Sequence, residues 1–204
     1  MSENNVIPVS RGPVDHAIRD QIVEAATEYF SHYGYEKTTV AELARAVGFS
    51  KAYIYKFFQS KQEIGEVICT NRLDLIMQRV ESVMIDSPTA TEKIRRLFRT
   101  VTESGTELFF HDRKLYDIAA AASRESWPSA RKYQQSLKNI VQKIIIEGRN
   151  QGEFERKTPL DETTEAIFMV LKPYVDPVQL QAGLETAEKA PALLASLVLR
   201  SLSP

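Results

Sequence analysis

The segment VGFSKAYIYKFFQSK, residues 47–61, combines aromatic rings with one sign of charge. Five aromatic residues lie between positions 49 and 58, and three lysines are interspersed with them without an acidic residue. Lysine ammonium groups bind phosphate or donate to guanine acceptors, while tyrosines bind phosphate through the hydroxyl and contact thymine methyl groups through the ring. This composition is typical of a surface that contacts DNA.

Residues 50–58, placed on a helix at ~100° per residue, divide into two faces. Ile54, Phe57 and Phe58 cluster on one side and are predicted to anchor the helix in a core. The other side carries the residues predicted to contact DNA, which are Lys51, Ala52, Tyr53, Tyr55 and Lys56. The small side chain at position 52 allows close approach to the major groove.

Two short helices must position this face. Residues 39–42, Thr-Val-Ala-Glu, fit a capping box that opens a helix to about Val47. Gly48 ends that helix, and Ser50 caps a third helix that reaches about Phe57. This arrangement is a helix-turn-helix pattern.

Two further residues extend the predicted DNA-contacting set. Thr39 lies at a helix N-terminus, where free N–H groups favour a phosphate. Lys61 lies in the first turn of a fourth helix, which a second capping box opens at Ser60. Because the net charge of the whole chain is -1, any basic surface for nucleic acid must be local.

The remainder of the chain also has helical periodicity, and no segment shows sustained strand alternation. A first helix spans roughly 15–33, and later helices are predicted at about 89–110, 113–125, 128–150, 161–172 and 177–201. Pro173 is expected to end one helix, and Pro191 to break or restart the last. The sequence therefore predicts an all-α fold.

Several functional classes find no support in the composition. The single cysteine, Cys69, excludes a disulfide within one chain, and no Cys/His spacing suits a metal. No glycine-rich phosphate loop, GxSxG or HExxH motif is present, and no apolar run approaches the ~20 residues of a membrane helix. We expect a cytoplasmic protein without a cofactor, metal, catalytic residues or membrane partner.

The string IVEAATEYFSHYGYEKTTVAELARAVGFSKAYIYKFFQSKQEI resembles the N-terminal domain of the TetR (tetracycline repressor) family. Family members share the runs AAxxxFxxxG, TTVxx[IL]A, G[VF]S, [LI]Yx[HY]F and SKxx[LI] at the same spacing. The resemblance implies that the recognition-helix residues above face DNA, and that Thr39 and Lys61 contact phosphate. Tyr53, Lys56 and Phe57 depart from common family residues, so the operator sequence stays open.

The resemblance also implies a division of the chain and a mode of action. We expect a flexible arm at 1–14, a helix-turn-helix domain at 15–62, and a helical effector-binding and dimerisation domain at 63–204. The expected partners are a palindromic double-stranded operator, a second copy of the chain and an unknown small-molecule effector. A repressor released by that effector is the favoured function; an activator, a ligand-independent regulator, a protein-interaction module or a helical enzyme are the alternatives.

The effector site is predicted beside Gly105, which interrupts the apolar face of the fifth helix. Mid-helix glycine costs ~1 kcal/mol, so the space it leaves serves either a close helix crossing or a ligand cavity. The candidate lining residues, each also suited to an ordinary core, are Phe98, Thr102, Gly105, Phe109, Tyr116, Trp127, Tyr133 and Leu137.

The last two predicted helices carry apolar faces too broad for one-sided surface helices. In the family, the two corresponding helices pair with their copies in a four-helix bundle, which suits a two-fold dimer. Burial within the monomer is the alternative explanation. The residues predicted for the dimer interface are Phe168, Leu171, Leu194, Leu197 and Val198.

Overall fold

The structure is a computed structural model that describes residues 13–204, with their side chains from residue 15 onward. In that part of the chain it consists of α-helices and one 3-10 turn, without a strand, so the all-α prediction is confirmed. The helices are α1 Pro13–Tyr33, α2 Val40–Ala46, α3 Lys51–Ile54, α4 Lys61–Ile85, α5 Ala90–His111, α6 Arg113–Arg124, α7 Pro128–Asn150, α8 Leu160–Val175, α9 Pro177–Ala182 and α10 Ala190–Ser201, with the 3-10 turn Leu184–Thr186 between the last two. Of the predicted arm at residues 1–14, residues 1–12 lie outside the described residues.

Side chains cap several of these helices where the sequence indicates. The predicted capping box at Thr39 is complete, since Thr39 and Glu42 each accept the other's backbone N–H. At α4 only half of the predicted box forms, because the Glu63 carboxylate accepts from the Gln59 N–H at 2.7 Å. Both arrangements satisfy N–H groups that lack a partner in the first helical turn.

The C-terminal segment differs from the prediction at two prolines. Pro173 does not end its helix, because α8 continues to Val175, and the buried side chain of Val175 packs into the core. The predicted helix at 177–201 is divided, since α9 ends before Gly183 and α10 begins at Ala190. Pro191 lies in the first turn of α10, where its missing N–H costs nothing, so the predicted restart is confirmed.

Two hydrophobic cores lie along α4. The first contains residues of α1–α3 and the N-terminal part of α4, including Ile64 and Ile68, and the second contains Val80 with residues of α5, α7, α8 and α10. Helix α6 contributes Leu115 and Ile118 to the first core. The N-terminal core therefore includes side chains from beyond residue 62, and the division at 62–63 stays a prediction.

Gly148 in α7 offers a direct test of core packing. A Cβ at this position would lie 2.2 Å from Cδ2 of the buried Phe154 ring. We expect Gly148→Ala to lower the free energy of unfolding by about 1–3 kcal/mol, despite its better helix propensity. Gly183→Ala is the matched control, because its nearest atom would lie at an ordinary 3.7 Å. Equal stability of the two variants in denaturant titrations at one protein concentration would contradict this packing.

Candidate nucleic-acid interface

The turn between α2 and α3 is defined by a left-handed residue. Gly48 has φ +75°, and the Phe49 N–H donates to the Ala44 carbonyl at 2.8 Å. This bond closes the C-terminal end of α2 in the manner of a Schellman motif. Among the described residues, no atom beyond Gly48 and its two chain neighbours lies within 4 Å of a Cβ built there, so the backbone angle, and not space, requires glycine.

One side of α3 packs against the first core. Ile54 and Phe58 are almost fully buried, and Phe57 is buried beside them, as the two-faced pattern predicts. The helix is shorter than predicted, because after Ile54 the chain turns and the N–H groups of Phe57 and Phe58 both bond the Ile54 carbonyl. The buried rings orient the other face of α3 outward.

Arg19 of α1 binds the chain just after α3, at Phe57 and Phe58. The sequence pattern did not predict this role. The Arg19 guanidinium donates to the Phe57 carbonyl at 2.6 Å and lies 4.2 Å from the centre of the Phe58 ring. It also pairs with the Glu63 carboxylate at 3.3 Å. Because these partners lie about 40 residues along the chain, local periodicity carries no signal for the contact.

Four of the five predicted residues are solvent-exposed on α3 and the turn that follows it, and we call these four the exposed face of α3. Lys51, Ala52, Tyr55 and Lys56 are all exposed, with Tyr55 at 43%. The Lys51 ammonium lies 5.8 Å from the Tyr55 ring centre. A small residue flanked by two cations and a phenol matches the chemistry of phosphate and base-edge contacts.

Tyr53 lies differently from the other four. Its ring is half-buried between Phe49 and Phe57, with centroid distances of 5.0 and 5.4 Å. The Lys56 ammonium lies 5.5 Å from the same ring. Tyr53 therefore supports the recognition face by packing, and a direct contact between Tyr53 and DNA stays a prediction.

The two predicted phosphate contacts already have partners within the chain. The Lys61 ammonium donates to the Tyr35 carbonyl at 2.9 Å and lies 4.3 Å from the Tyr35 ring centre. Thr39 is exposed, but its hydroxyl contacts the Glu42 carboxylate at 2.8 Å. Hydrogen bonds from the Thr39 backbone and hydroxyl lower the pKa of Glu42, so a carboxylate stands beside Thr39. Binding of a phosphate by Lys61 or Thr39 would therefore replace these contacts within the chain.

Comparison with known proteins agrees with this geometry. The family model described as "Bacterial regulatory proteins, tetR family" matches residues 22–67, which include α2, the turn and α3. The model "Tetracyclin repressor-like, C-terminal domain" matches residues 90–193, just over half of the 204-residue chain. The chain belongs to the TetR family. It is therefore a helix-turn-helix transcriptional regulator.

Individual TetR-family relatives match along most of the chain. The HTH-type transcriptional regulator YhgD of Bacillus subtilis is 26% identical over 154 residues, covering 76% of this chain and 78% of the relative. A transcriptional regulator from Cytophaga hutchinsonii has a TM-score of 0.66 at 22% identity, covering 91% and 98%. FadR from Bacillus subtilis in complex with stearoyl-CoA has a TM-score of 0.61 at 21% identity, covering 89% and 95%. The structural matches show a shared fold.

The eight residues predicted to line an effector site do not meet in one cavity of this TetR-family chain. Phe98, Leu137 and Tyr133 are buried in the second core, where burial raises the pKa of Tyr133. Trp127 belongs to the first core instead, with its ring 5.7 Å from that of Tyr35. Core packing holds these four side chains in place, in agreement with the alternative that each is an ordinary core residue.

The other four lie along α5 and at the start of α6. Phe109 packs edge-on against Tyr116 at 5.0 Å, and burial raises the pKa of Tyr116 to about 12. A Cβ on Gly105 would lie 2.5 Å from Leu180 Cδ2, so close packing of α9 explains this glycine. Thr102 is the one member of the predicted set that lines a sizeable cavity beside α5.

That cavity, here called the α5–α10 groove, has a volume of about 540 Å³ and lies between the outer side of α5 and the start of α10. Charged side chains of α5 line one wall, and small apolar side chains line the other. The lining residues are Arg95, Arg99, Thr102, Glu103, Thr106, Glu107, Phe110, Leu184, Ala187, Glu188, Pro191, Ala192 and Ala195. Thr102 is the only one of these residues that the sequence predicted to line an effector site.

The predicted dimer residues are divided between core and surface. Phe168, Leu171 and Val198 are buried in the second core of the monomer. Burial within the monomer, the alternative explanation, accounts for these three positions, and a dimer contact at them stays a prediction. Leu194 is half-buried, and Leu197 is 55% exposed.

Two other apolar side chains are exposed on the same two helices. Met169 of α8 is 64% exposed, and Leu193 of α10 is 68% exposed. Together with Leu197 they form what we call the α8/α10 apolar surface. Large exposed apolar side chains mark candidate protein contacts.

Residues 13–204 contain no group of three or more His, Cys, Asp or Glu side chains placed to hold a metal. Among the same residues, no helix combines the length and the apolar character that crossing a membrane demands.

Proposed function

We propose that this regulator is a homodimeric repressor that binds a palindromic operator and is released by a small-molecule effector. The exposed face of α3, with Lys51, Ala52, Tyr55 and Lys56 above a buried apolar anchor, is the observation that carries the proposal. Two copies of this face, related by two-fold symmetry, enter major grooves about one DNA turn apart.

The α8/α10 apolar surface supports the dimer. A two-fold interface uses the same patch on both subunits, so Met169, Leu193 and Leu197 of one copy meet their counterparts. Burial of these exposed side chains against each other removes apolar area from water, at roughly 25 cal/mol per Å². The distance between the recognition helices then follows from the shape of this interface.

Release by an effector requires that the C-terminal helices influence α3. Besides α4, helix α6 links the two regions, since its Ser123 hydroxyl donates to the Asp176 carboxylate at 2.6 Å. At its other end, Asp112 accepts from the Ser31 hydroxyl of α1 at 3.2 Å. An effector that favours one arrangement of α9 thus changes the position of the DNA-binding helices by population shift.

Relatives support a ligand-released repressor. The transcriptional repressor KstR2 of Mycolicibacterium smegmatis is 27% identical over 86 residues, 42% of each chain. The FadR structure cited above holds stearoyl-CoA. As a bacterial DNA regulator the protein would act in the cytoplasm, and we propose no catalytic role for it.

Transcription in vitro tests the proposal. The template carries a site selected by this protein from random DNA, placed over a bacterial promoter, beside a template with a scrambled site. We expect transcript from the first template to fall as protein is added, while the second is unaffected. A rise in transcript would show an activator, and no site-dependent change would point to a protein-interaction module.

A further inference from the structure

We propose that the α5–α10 groove binds an amphipathic monoanion, a carboxylate joined to an apolar body, as the effector. The inference rests on the proposed function, because it gives the effector's chemical class and its site. The groove volume of about 540 Å³ lies within the ~300–1,000 Å³ range typical of small-molecule sites.

Arginines form the polar end of the groove. Arg95 and Arg99 are four residues apart on α5, so their side chains leave the same face of the helix one turn apart. Among residues 15–204, the Arg99 guanidinium has neither an ion pair nor a hydrogen bond, and the Arg95 guanidinium has only a 3.5 Å contact with the Ser196 hydroxyl. Two available guanidinium groups match the fork geometry by which arginine binds a carboxylate.

Apolar side chains form the rest of the groove. Ala187, Pro191 and Ala195 are buried beneath it, and Leu184 lies beside them. At the far end of the α5 wall the Phe110 ring is 69% exposed. Phe110 lies eleven helical steps after Arg99, or about 16 Å along the axis, so the charged and apolar ends of the ligand lie apart.

The carboxylates of the groove limit the ligand to one negative charge. Glu103 and Glu107 pair with Arg79 of α4 at 3.6 and 2.7 Å, which partly neutralises them. Glu188 is exposed on the opposite wall. A second anionic group placed beyond the arginines would meet these three acids, which disfavours dianions and polyanions.

Thr106 supplies a polar group in the middle of the groove. Its Oγ1 atom is buried and makes no hydrogen bond to the described residues, although buried hydroxyls are normally partnered. Thr102, one turn earlier, differs because its hydroxyl donates to the Phe98 carbonyl at 2.9 Å. The Thr106 hydroxyl is therefore a candidate partner for a polar atom of the ligand.

The groove remains open in the proposed dimer. On α10, Ala192 and Ala195 face the groove, whereas Leu193 and Leu197 are centred roughly on the opposite side at ~100° per residue. A partner subunit seated on the α8/α10 apolar surface leaves the ligand's path clear.

Ligand binding at this groove reaches the DNA-binding helices through α9. The groove wall continues from the Leu184–Thr186 turn into α9, whose Leu180 side chain fills the space at Gly105 of α5. The N-terminus of α9 is attached to α6 through Asp176 and Ser123. Drawing α10 towards α5 around a ligand therefore displaces α6, which packs in the first core.

Calorimetric titration of the full chain with decanoate and 2-naphthoate, each beside its neutral primary amide, tests the site. We expect saturable binding of at least one carboxylate, about 10-fold or more tighter than its amide. Arg99→Gln and Arg95→Gln should each weaken that binding by a similar factor, while Lys143→Gln, an exposed cation on α7, should not. Thermal unfolding of each variant checks that the fold is intact.

The same carboxylate should weaken binding of wild-type protein to its selected operator, and the Arg99→Gln variant should resist this effect. Absence of saturable binding by both carboxylates, or binding that both arginine variants retain, would overturn the inference. Either result with operator binding intact leaves the DNA-binding proposal standing. Failure to bind any operator, with carboxylate binding intact, would instead contradict the proposed function.

Discussion

Tyr55→Ala combined with Lys56→Ala is expected to weaken binding to the selected operator by at least about 30-fold. Both side chains are exposed, and each contact with a phosphate or base edge contributes about 1–3 kcal/mol. Loss of Lys56 should also reduce the slope of log affinity against log salt by about 1. Fluorescence anisotropy with a labelled duplex at several salt concentrations measures both effects.

The matched control removes the same residue types elsewhere. Tyr33 is 57% exposed at the end of α1, and Lys143 is exposed on α7, so Tyr33→Ala/Lys143→Ala deletes one phenol and one cation away from α3. We expect the control to retain the wild-type affinity. Comparable losses in both double variants would remove α3 from the recognition surface.

Leu193→Glu combined with Leu197→Glu is expected to convert the proposed dimer into monomers. Both side chains are more than half exposed in the single chain, so glutamates there leave the monomer core intact. In the dimer the same positions would bury unpaired charge at an apolar contact, which is strongly unfavourable. Sedimentation velocity at micromolar concentration measures the change in mass.

Loss of the dimer should also lower operator affinity by about 100-fold or more, since linked binding of two half-sites contributes that much. The control Leu75→Glu/Ile85→Glu replaces two exposed apolar residues of α4, 54% and 84% exposed, and should remain dimeric. A dimeric Leu193→Glu/Leu197→Glu variant with full operator affinity would place the interface on another surface.

The sequence predicted the recognition segment well because local rules determine it. Thr39 and Ser50 act as helix caps, Gly48 has the left-handed backbone angle, and Ile54 and Phe58 are buried at the positions that helical spacing indicates. Each of these features depends on neighbours within a few residues, so pattern reasoning reaches it directly.

Features that depend on partners distant in the sequence could not be predicted from local patterns. Lys61 contacts the Tyr35 carbonyl 26 residues away, and Gly105 is packed against Leu180. Trp127 fits equally well as a C-terminal cavity residue until its neighbour Tyr35 is known. Apolar periodicity also treats Phe168, which is buried in the monomer, like an interface residue.

The α5–α10 groove escaped sequence analysis for a related reason. Its arginines and glutamates lie on the polar side of an amphipathic helix, a pattern that ordinarily indicates contact with solvent. Only the return of the chain through α9 and the turn at Leu184–Thr186 places an apolar wall opposite them. No periodicity within α5 encodes that return.

Selection of bound sequences from a random duplex library tests the central claim most directly. Wild-type protein is predicted to enrich an inverted repeat whose half-site centres lie about one helical turn, ~10 base pairs, apart. The Tyr55→Ala/Lys56→Ala variant should enrich no such repeat, while Tyr33→Ala/Lys143→Ala should recover the wild-type site. A library left unenriched by wild type, or one enriched equally by the α3 variant, would contradict the account of α3 as the reader of DNA sequence.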